Sequence, residues 1–150
     1  LSVNEVVTEA VKDFTSTLQD YPLQIEFEED PRSPICSLAP LEFELAVFNL
    51  LKNAKEALKA QKADEPKLFI KLSSSETHCF VDISDNGAVI SDSDFERMGS
   101  VFKSGKASGL GIGLSIVRSI VQNHNGSLVL ERGKNGGLVC RIRLPILNTE

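Results

Sequence analysis

The chain has 150 residues, 41% of them hydrophobic and 25% charged, which is enough apolar material for one buried core and too much for a disordered chain. Its net charge of −5, with no stripe of Lys and Arg, excludes a binder of nucleic-acid backbone but leaves open a small anion held by a local site. Cys36, Cys79 and Cys140 are far apart and odd in number, with neither a zinc spacing nor a secreted disulfide framework, and they read as reduced core residues of a cytosolic protein.

Ser2 with Glu5 forms a capping-box pattern, and Val3, Val6, Val7, Ala10, Val11, Phe14 and Leu18 recur at helical spacing, so the first element is an amphipathic helix ending before Pro22. Leu23, Ile25 and Phe27 alternate with polar residues as a half-buried strand, and the stretch from Pro31 to Pro34 breaks the chain before a short apolar run at Ile35 to Leu38. Pro40 suits the first turn of a second helix, whose apolar face is read as Leu41, Leu45, Phe48, Leu51 and Leu58, up to about Lys62. Leu68, Ile70 and Leu72 predict a strand, and Cys79, Val81 and Ile83 predict the next, which stops at Asp85-Asn86-Gly87. Residues 88–108 have weak periodicity and read as a mobile segment with one helical turn around Asp94 to Met98. Gly109 to Gly113 opens a helix through Leu114, Val117, Ile120 and Val121 that stops at His124-Asn125-Gly126, where Asn or Gly can take the left-handed conformation. Two last strands, at Leu128 and Leu130 and at Leu138 to Leu144, are joined as a hairpin by Gly133 to Gly137. The mixture predicts an α/β two-layer sandwich: a mixed, mainly antiparallel sheet of about five strands, covered on one face by about three helices. No apolar run approaches the ~20 residues of a membrane helix, and the start lacks a signal-peptide pattern.

Three constellations carry chemistry. Asn49 and Asn53 stand one turn apart on the second helix, on one side of it, beside an apolar strip. A buried amide without a partner costs about 1–3 kcal/mol, so the pair fits either a shared polar ligand, such as Mg²⁺, or backbone bridging. Asp85 leaves a strand directly into Asn86-Gly87, which serves either as a plain turn or as a carboxylate fixed to accept a hydrogen bond from an exocyclic amine, with Gly87 admitting a flat base. Gly109, Gly111 and Gly113 lead into a helix and read either as a flexible hinge or as an anion site, since free N–H groups and the helix dipole there favour phosphate. Lys103 and Lys106 precede that loop; Lys103 reads as solvated, and Lys106 as either solvated or closing over phosphates. His78 and His124 have no acid-base or metal partner at useful spacing and read as structural.

In order, Asn49-Leu-Leu-Lys-Asn53-Ala, Asp85-Asn-Gly87, Phe102-Lys-Ser-Gly-Lys106 and Gly109-Leu-Gly-Ile-Gly113-Leu-Ser-Ile resemble the N, G1, F and G2 boxes of sensor histidine kinases, and the match spans nearly the whole chain. The run from Gly109 to Gly126 is most similar to the oxygen- and nitrogen-sensing subfamily. The wider group includes type II topoisomerases, Hsp90 chaperones and mismatch-repair ATPases. The resemblance implies a single catalytic domain over residues 1–150 that binds ATP and Mg²⁺ under a flexible lid. By it, Asn53 would hold Mg²⁺, Asp85 with Gly87 would take the adenine, and Phe102 would anchor the lid. Lys106 would approach the γ-phosphate, and the loop of Gly109, Leu110, Gly111 and Gly113 with Leu114 would contact the nucleotide. Related ATPases place a Glu general base where this chain has Asn49, whose amide takes no proton from water, so transfer to another acceptor fits better than hydrolysis. The implied partners are a dimerisation and phosphoacceptor domain of the same kinase, which carries the acceptor histidine missing here, and indirectly a response regulator. No nucleic acid or direct membrane contact is expected, the isolated domain is expected to be a cytoplasmic monomer, and its parent kinase could be anchored in an inner membrane. Val89 departs from the second glycine of the resembled turn, and Glu56 from a frequent basic residue. A non-catalytic nucleotide-binding module and a stand-alone ATPase are the rival readings.

Overall fold

The structure is a computed structural model that describes residues 1–104 and 111–147, with backbone alone at 100–104 and 111–113. Helix α1 (Val3–Thr15) buries Val3, Val6, Val7, Ala10 and Phe14 on one side, as their spacing predicts. The expected capping box does not form. The Ser2 hydroxyl pairs instead with that of Ser33 at 3.0 Å, while the Ser2 carbonyl accepts from Val6 N at 3.3 Å. At the far end the hydroxyls of Thr15, Ser16 and Thr17 donate to carbonyls of the last turn, competing with continuation of the helix.

Strand β1 (Gln24–Glu28) follows, and then α2 (Pro40–Ala60) begins at its proline as expected. The apolar face of α2 differs from the sequence reading: Phe43, Ala46, Val47, Leu50, Leu51 and Leu58 are buried, while Leu41 is 80% exposed and Leu45 is 48% exposed. Helix α2 lies between α1 and the last helix and also meets the sheet, so the face it must bury is wide and centred on Val47 and Leu51.

Strands β2 (Lys67–Ser74), β3 (His78–Asp85), β4 (Ser127–Arg132) and β5 (Leu138–Pro145) complete an open sheet of order β1-β2-β3-β5-β4, parallel between β1 and β2 and antiparallel elsewhere. Leu68, Ile70 and Leu72 on β2, Cys79, Val81 and Ile83 on β3, and Cys140, Ile142 and Leu144 on β5 all face the helices, the period-2 pattern expected of a sheet covered on one face. On the opposite face Arg141 donates two hydrogen bonds to Asp82, at 2.7 and 2.9 Å, and lies over the Phe80 ring.

Helix α3 (Asp92–Ser104) replaces the single turn read from the sequence. Its start is set by Ser91, whose hydroxyl accepts from Asp94 N at 3.2 Å and whose carbonyl accepts from Phe95 N, with Asp92 and Asp94 favourably placed in the first turn. Helix α4 (Gly111–Asn123) ends as predicted: Asn125 has φ +59° and Gly126 N returns to the Val121 carbonyl at 2.9 Å. The three cysteines are buried free thiols, with the Cys36 and Cys79 sulfurs 3.2 Å apart in a hydrogen bond. Among the described residues no helix is long and apolar enough to cross a membrane.

Candidate functional site

A cleft of about 610 Å³, mouth included, opens between α2 and the sheet at the ends of β3 and β5. Its walls follow from three periodicities. Helix α2 presents Leu50, Asn53, Ala54 and Ala57, which are spaced three and four apart; β3 presents Ile83 and Asp85, and β5 presents Leu138 and Cys140, each two apart. Ile90, Met98 of α3 and Leu114 of α4 close the remaining sides. The walls are therefore mainly apolar, with small alanines where α2 passes, and leave a slot suited to a flat hydrophobic body with a few polar groups at its rim.

Two of those polar groups are held in specific states. The Asn53 side-chain nitrogen is buried and has no hydrogen-bond partner among the described residues. The side chain is thus not bridging backbone at that end, and a polar ligand would relieve the cost of the orphaned group. Asp85 ends β3 half-buried, its Oδ1 accepting from Gly87 N at 2.8 Å and its Oδ2 from Leu138 N at 3.4 Å. Burial raises its carboxyl above the usual carboxylate range, and the two backbone N–H groups offset part of that rise. The neighbouring Cys140 thiol is pushed up to about 12 by burial and then by the Asp85 charge.

The loop after Asp85 is braced from both sides. Asn86 accepts from Lys67 N at 2.8 Å and donates to the Glu65 carbonyl at 2.7 Å, so it is spent on structure. Gly137, at φ +76° in the β4–β5 hairpin, donates to the Ala88 carbonyl at 2.9 Å. A side-chain carbon at Gly87 would meet the ends of the Asp85 and Gln61 side chains, so a larger residue there would displace the carboxylate and the carboxamide from their present positions. Val89 is 80% exposed, so the side chain that replaces the expected glycine points to solvent and leaves the cleft unfilled.

Of the residues singled out from the sequence, the cleft brings together Asn53, Asp85 and Leu114, with Gly87 beside Asp85. Asn49 is half-buried and is not among the described residues that line it. Gly111 and Gly113 form the start of α4. Lys106, Gly109 and Leu110 lie outside the described residues, as do the side chains of Phe102 and Lys103. Sequence reasoning missed Gln61, Ile90, Met98, Leu138 and Cys140 as wall residues. The alternation of Leu138 and Cys140 was visible, but which end of β5 meets Asp85 depends on a strand register that no local pattern sets.

The profile of the histidine kinase-, DNA gyrase B- and HSP90-like ATPases matches residues 39–148. The chain belongs to this family. Proteins similar to it include the C4-dicarboxylate transport sensor protein DctS of Rhodobacter capsulatus, 28% identical over 97% of this chain and 22% of that protein. Another is the sensor protein FixL of Bradyrhizobium diazoefficiens, 27% identical over 96% of this chain and 28% of that protein. The chain thus spans about a quarter of the length of these relatives, which are sensor proteins. The same fold is seen in the catalytic domain of histidine kinase ThkA, with TM-score 0.81 and 24% identity over 97% of this chain and 94% of that one. The histidine kinase domain of the E. coli osmosensor EnvZ aligns with TM-score 0.72 and 27% identity over all of this chain and 89% of that one.

Proposed function

We propose that this domain binds Mg²⁺-ATP and donates the γ-phosphate to a histidine on a separate dimerisation and phosphoacceptor domain, in two-component signal transduction. The observation that carries the reading is the pairing, across one apolar slot, of an Asn53 side-chain nitrogen that has no partner among the described residues with a half-buried Asp85 acceptor. Asp85 is oriented by the Gly87 and Leu138 amides to receive the adenine amine, and Ile83, Ala54 and Ala57 give the ring apolar walls. Asn53 fits the metal, because a neutral amide oxygen is a hard donor that leaves the ion's charge intact, and a half-turn of the amide exchanges its two ends. Bound there, Mg²⁺ would neutralise charge on the phosphate oxygens. The protein's own contribution is to hold nucleotide and acceptor in position rather than to form a covalent intermediate. Lys106 and the loop with Gly109, Leu110, Gly111 and Gly113 are assigned to the phosphates, and Phe102 to the lid.

Asn49, one turn before Asn53, supplies no base to activate water, which favours transfer over hydrolysis by a stand-alone ATPase. The solvent-facing Val89 weakens the case for a degenerate, non-catalytic module. The domain is assigned to residues 1–150 and to the cytoplasm, as a monomer when isolated, with a response regulator reached indirectly. ThkA has been seen in complex with the response regulator TrrA, consistent with that indirect link. Calorimetry with ADP and ATP, with and without Mg²⁺, tests the binding: the expected result is Mg²⁺-enhanced affinity that Asn53→Ala lowers roughly ten- to a hundredfold. Mixing with the cognate dimerisation domain and ATP should then yield acid-labile phosphohistidine. Normal phosphorylation by Asn53→Ala would overturn the metal assignment.

A further inference from the structure

Gln61, the C-cap residue just after α2, sits at the rim of the same cleft. Its Oε1 accepts from the Ala88 backbone N–H at 2.8 Å, and this fixes which end of the carboxamide faces which way. With the oxygen committed to the loop, the Nε2 group is left as a donor with a set orientation. The position of Gly87 shows how close this donor lies to the Asp85 carboxylate. The point that a side-chain carbon at Gly87 would occupy is 2.6 Å from Asp85 Oδ1, 2.8 Å from Gln61 Oε1 and 3.4 Å from Gln61 Nε2. Two polar heads from different elements therefore converge on one spot, about 6 Å apart at most, with only glycine between them.

Taken together they present one acceptor and one donor side by side. The adenine edge carries the complement: an exocyclic amine that donates, flanked on each side by a ring nitrogen that accepts. Hydrogen bonds to the exocyclic amine and to the ring nitrogen beside it run nearly parallel, so they take an acceptor and a donor closer together than this upper bound, which the bound admits. We infer that Gln61 is a second base-recognising residue, its Nε2 donating to a ring nitrogen next to the amine that Asp85 receives. This assignment rests on the nucleotide reading above and adds a contact that Asp85 alone does not supply. It also gives the Ala88 amide a role in recognition, since without that bond the carboxamide is free to turn its oxygen toward the base and repel the same ring nitrogen.

The test is calorimetric titration of the domain with ADP, 1-deaza-ADP and 7-deaza-ADP, the two analogues each lacking one of the flanking ring nitrogens. The wild type, Gln61→Ala and Gln61→Glu are compared; Gln61→Glu keeps an oxygen for the Ala88 amide but removes the donor. Gln61 is exposed, so the variants are expected to keep the fold, which circular dichroism and an unchanged cooperative melt verify. The wild type is expected to lose roughly tenfold in affinity for one analogue, and Gln61→Ala and Gln61→Glu to lose a similar factor for ADP. Each variant should then bind that analogue no more weakly than it binds ADP, because the removed nitrogen and the removed donor are the two ends of one bond. If both analogues bind the wild type like ADP, or if the losses multiply in both variants, Gln61 does not touch the base. Failure of the wild type to bind ADP at all is a different outcome, which removes the nucleotide reading itself.

Discussion

Asp85 is pulled in two directions: burial favours its neutral form, while reception of an amine needs the carboxylate. Because its folded pKa is raised, the stability it contributes is fully present below its ordinary value of 3.8 and is lost as pH rises through the folded value. At neutral pH the ionised group therefore costs stability in the empty domain. Asp85→Asn keeps one oxygen for the Gly87 amide and removes the charge, so the empty variant should be more stable than wild type at pH 7. The gap should close as the pH falls below 3.8, measured as urea midpoints across a pH series. The same variant should bind ADP at least about tenfold more weakly, since a bond to a charged acceptor is lost. A variant that is less stable than wild type at pH 7 would mean that the Leu138 contact outweighs desolvation. At this scale the sequence was partly legible. Asp85 and Gly87 announced themselves by following an alternating strand, whereas helical spacing alone did not separate Asn49 from Asn53; the resemblance gave the metal to Asn53, and the cleft is lined by Asn53 and not by Asn49 among the described residues. Gln61 gave no signal, because an exposed glutamine after a helix is ordinary until the turn at Gly87 is brought against it.

Helix α4 is tied to α2 by one side chain that the sequence reading set aside as structural. The His124 Nδ1–H donates to the Ile120 carbonyl at 2.7 Å, its Nε2 accepts from Ala39 N at 3.0 Å, and its ring packs against Phe43. The tautomer follows from the Ala39 N–H, which can only donate. Losing this clip in His124→Ala should destabilise the domain by about 1–2 kcal/mol, with an unchanged denaturant slope in urea unfolding, since the core itself is not rearranged. Elements differ in how well they could be read for a physical reason. Strands β2, β3 and β5 are covered on one face, so burial has period 2 and their alternation is plain. Helix α2 is apolar over most of its circumference, and the stripe through Leu41 and Leu45 competed on equal terms with the one through Phe43 and Val47 that neighbours on several sides bury. Helix α3 lies at the edge of the fold with mostly exposed residues up to Arg97, so no hydrophobic period marked it. Its start was nonetheless written in Ser91-Asp92-Ser93-Asp94, a cap and two first-turn acids.

At the scale of the whole molecule the cleft is a seam: α2 forms one wall, the ends of β3 and β5 the other, and side chains from the 90s and from α4 close it. A ligand that enters it touches elements far apart in sequence and binds only the folded chain, so its binding energy adds directly to global stability. At free nucleotide a hundredfold above Kd the gain is about 2.7 kcal/mol. For a chain of this size that corresponds to a rise in Tm of roughly 5–10 °C. Thermal melts with increasing Mg²⁺-ADP should therefore show a rise that grows with the logarithm of concentration, and Asn53→Ala should show little of it over the same range. His124→Ala offers the decisive contrast. Its side chain lies outside the cleft, so the variant should begin from a lower Tm yet gain the same increment when its own Kd is used to set the concentrations. A smaller increment in His124→Ala would show that the clip between α2 and α4 also shapes the cleft. The two elements would then act as one wall, whose position controls affinity, rather than as independent supports.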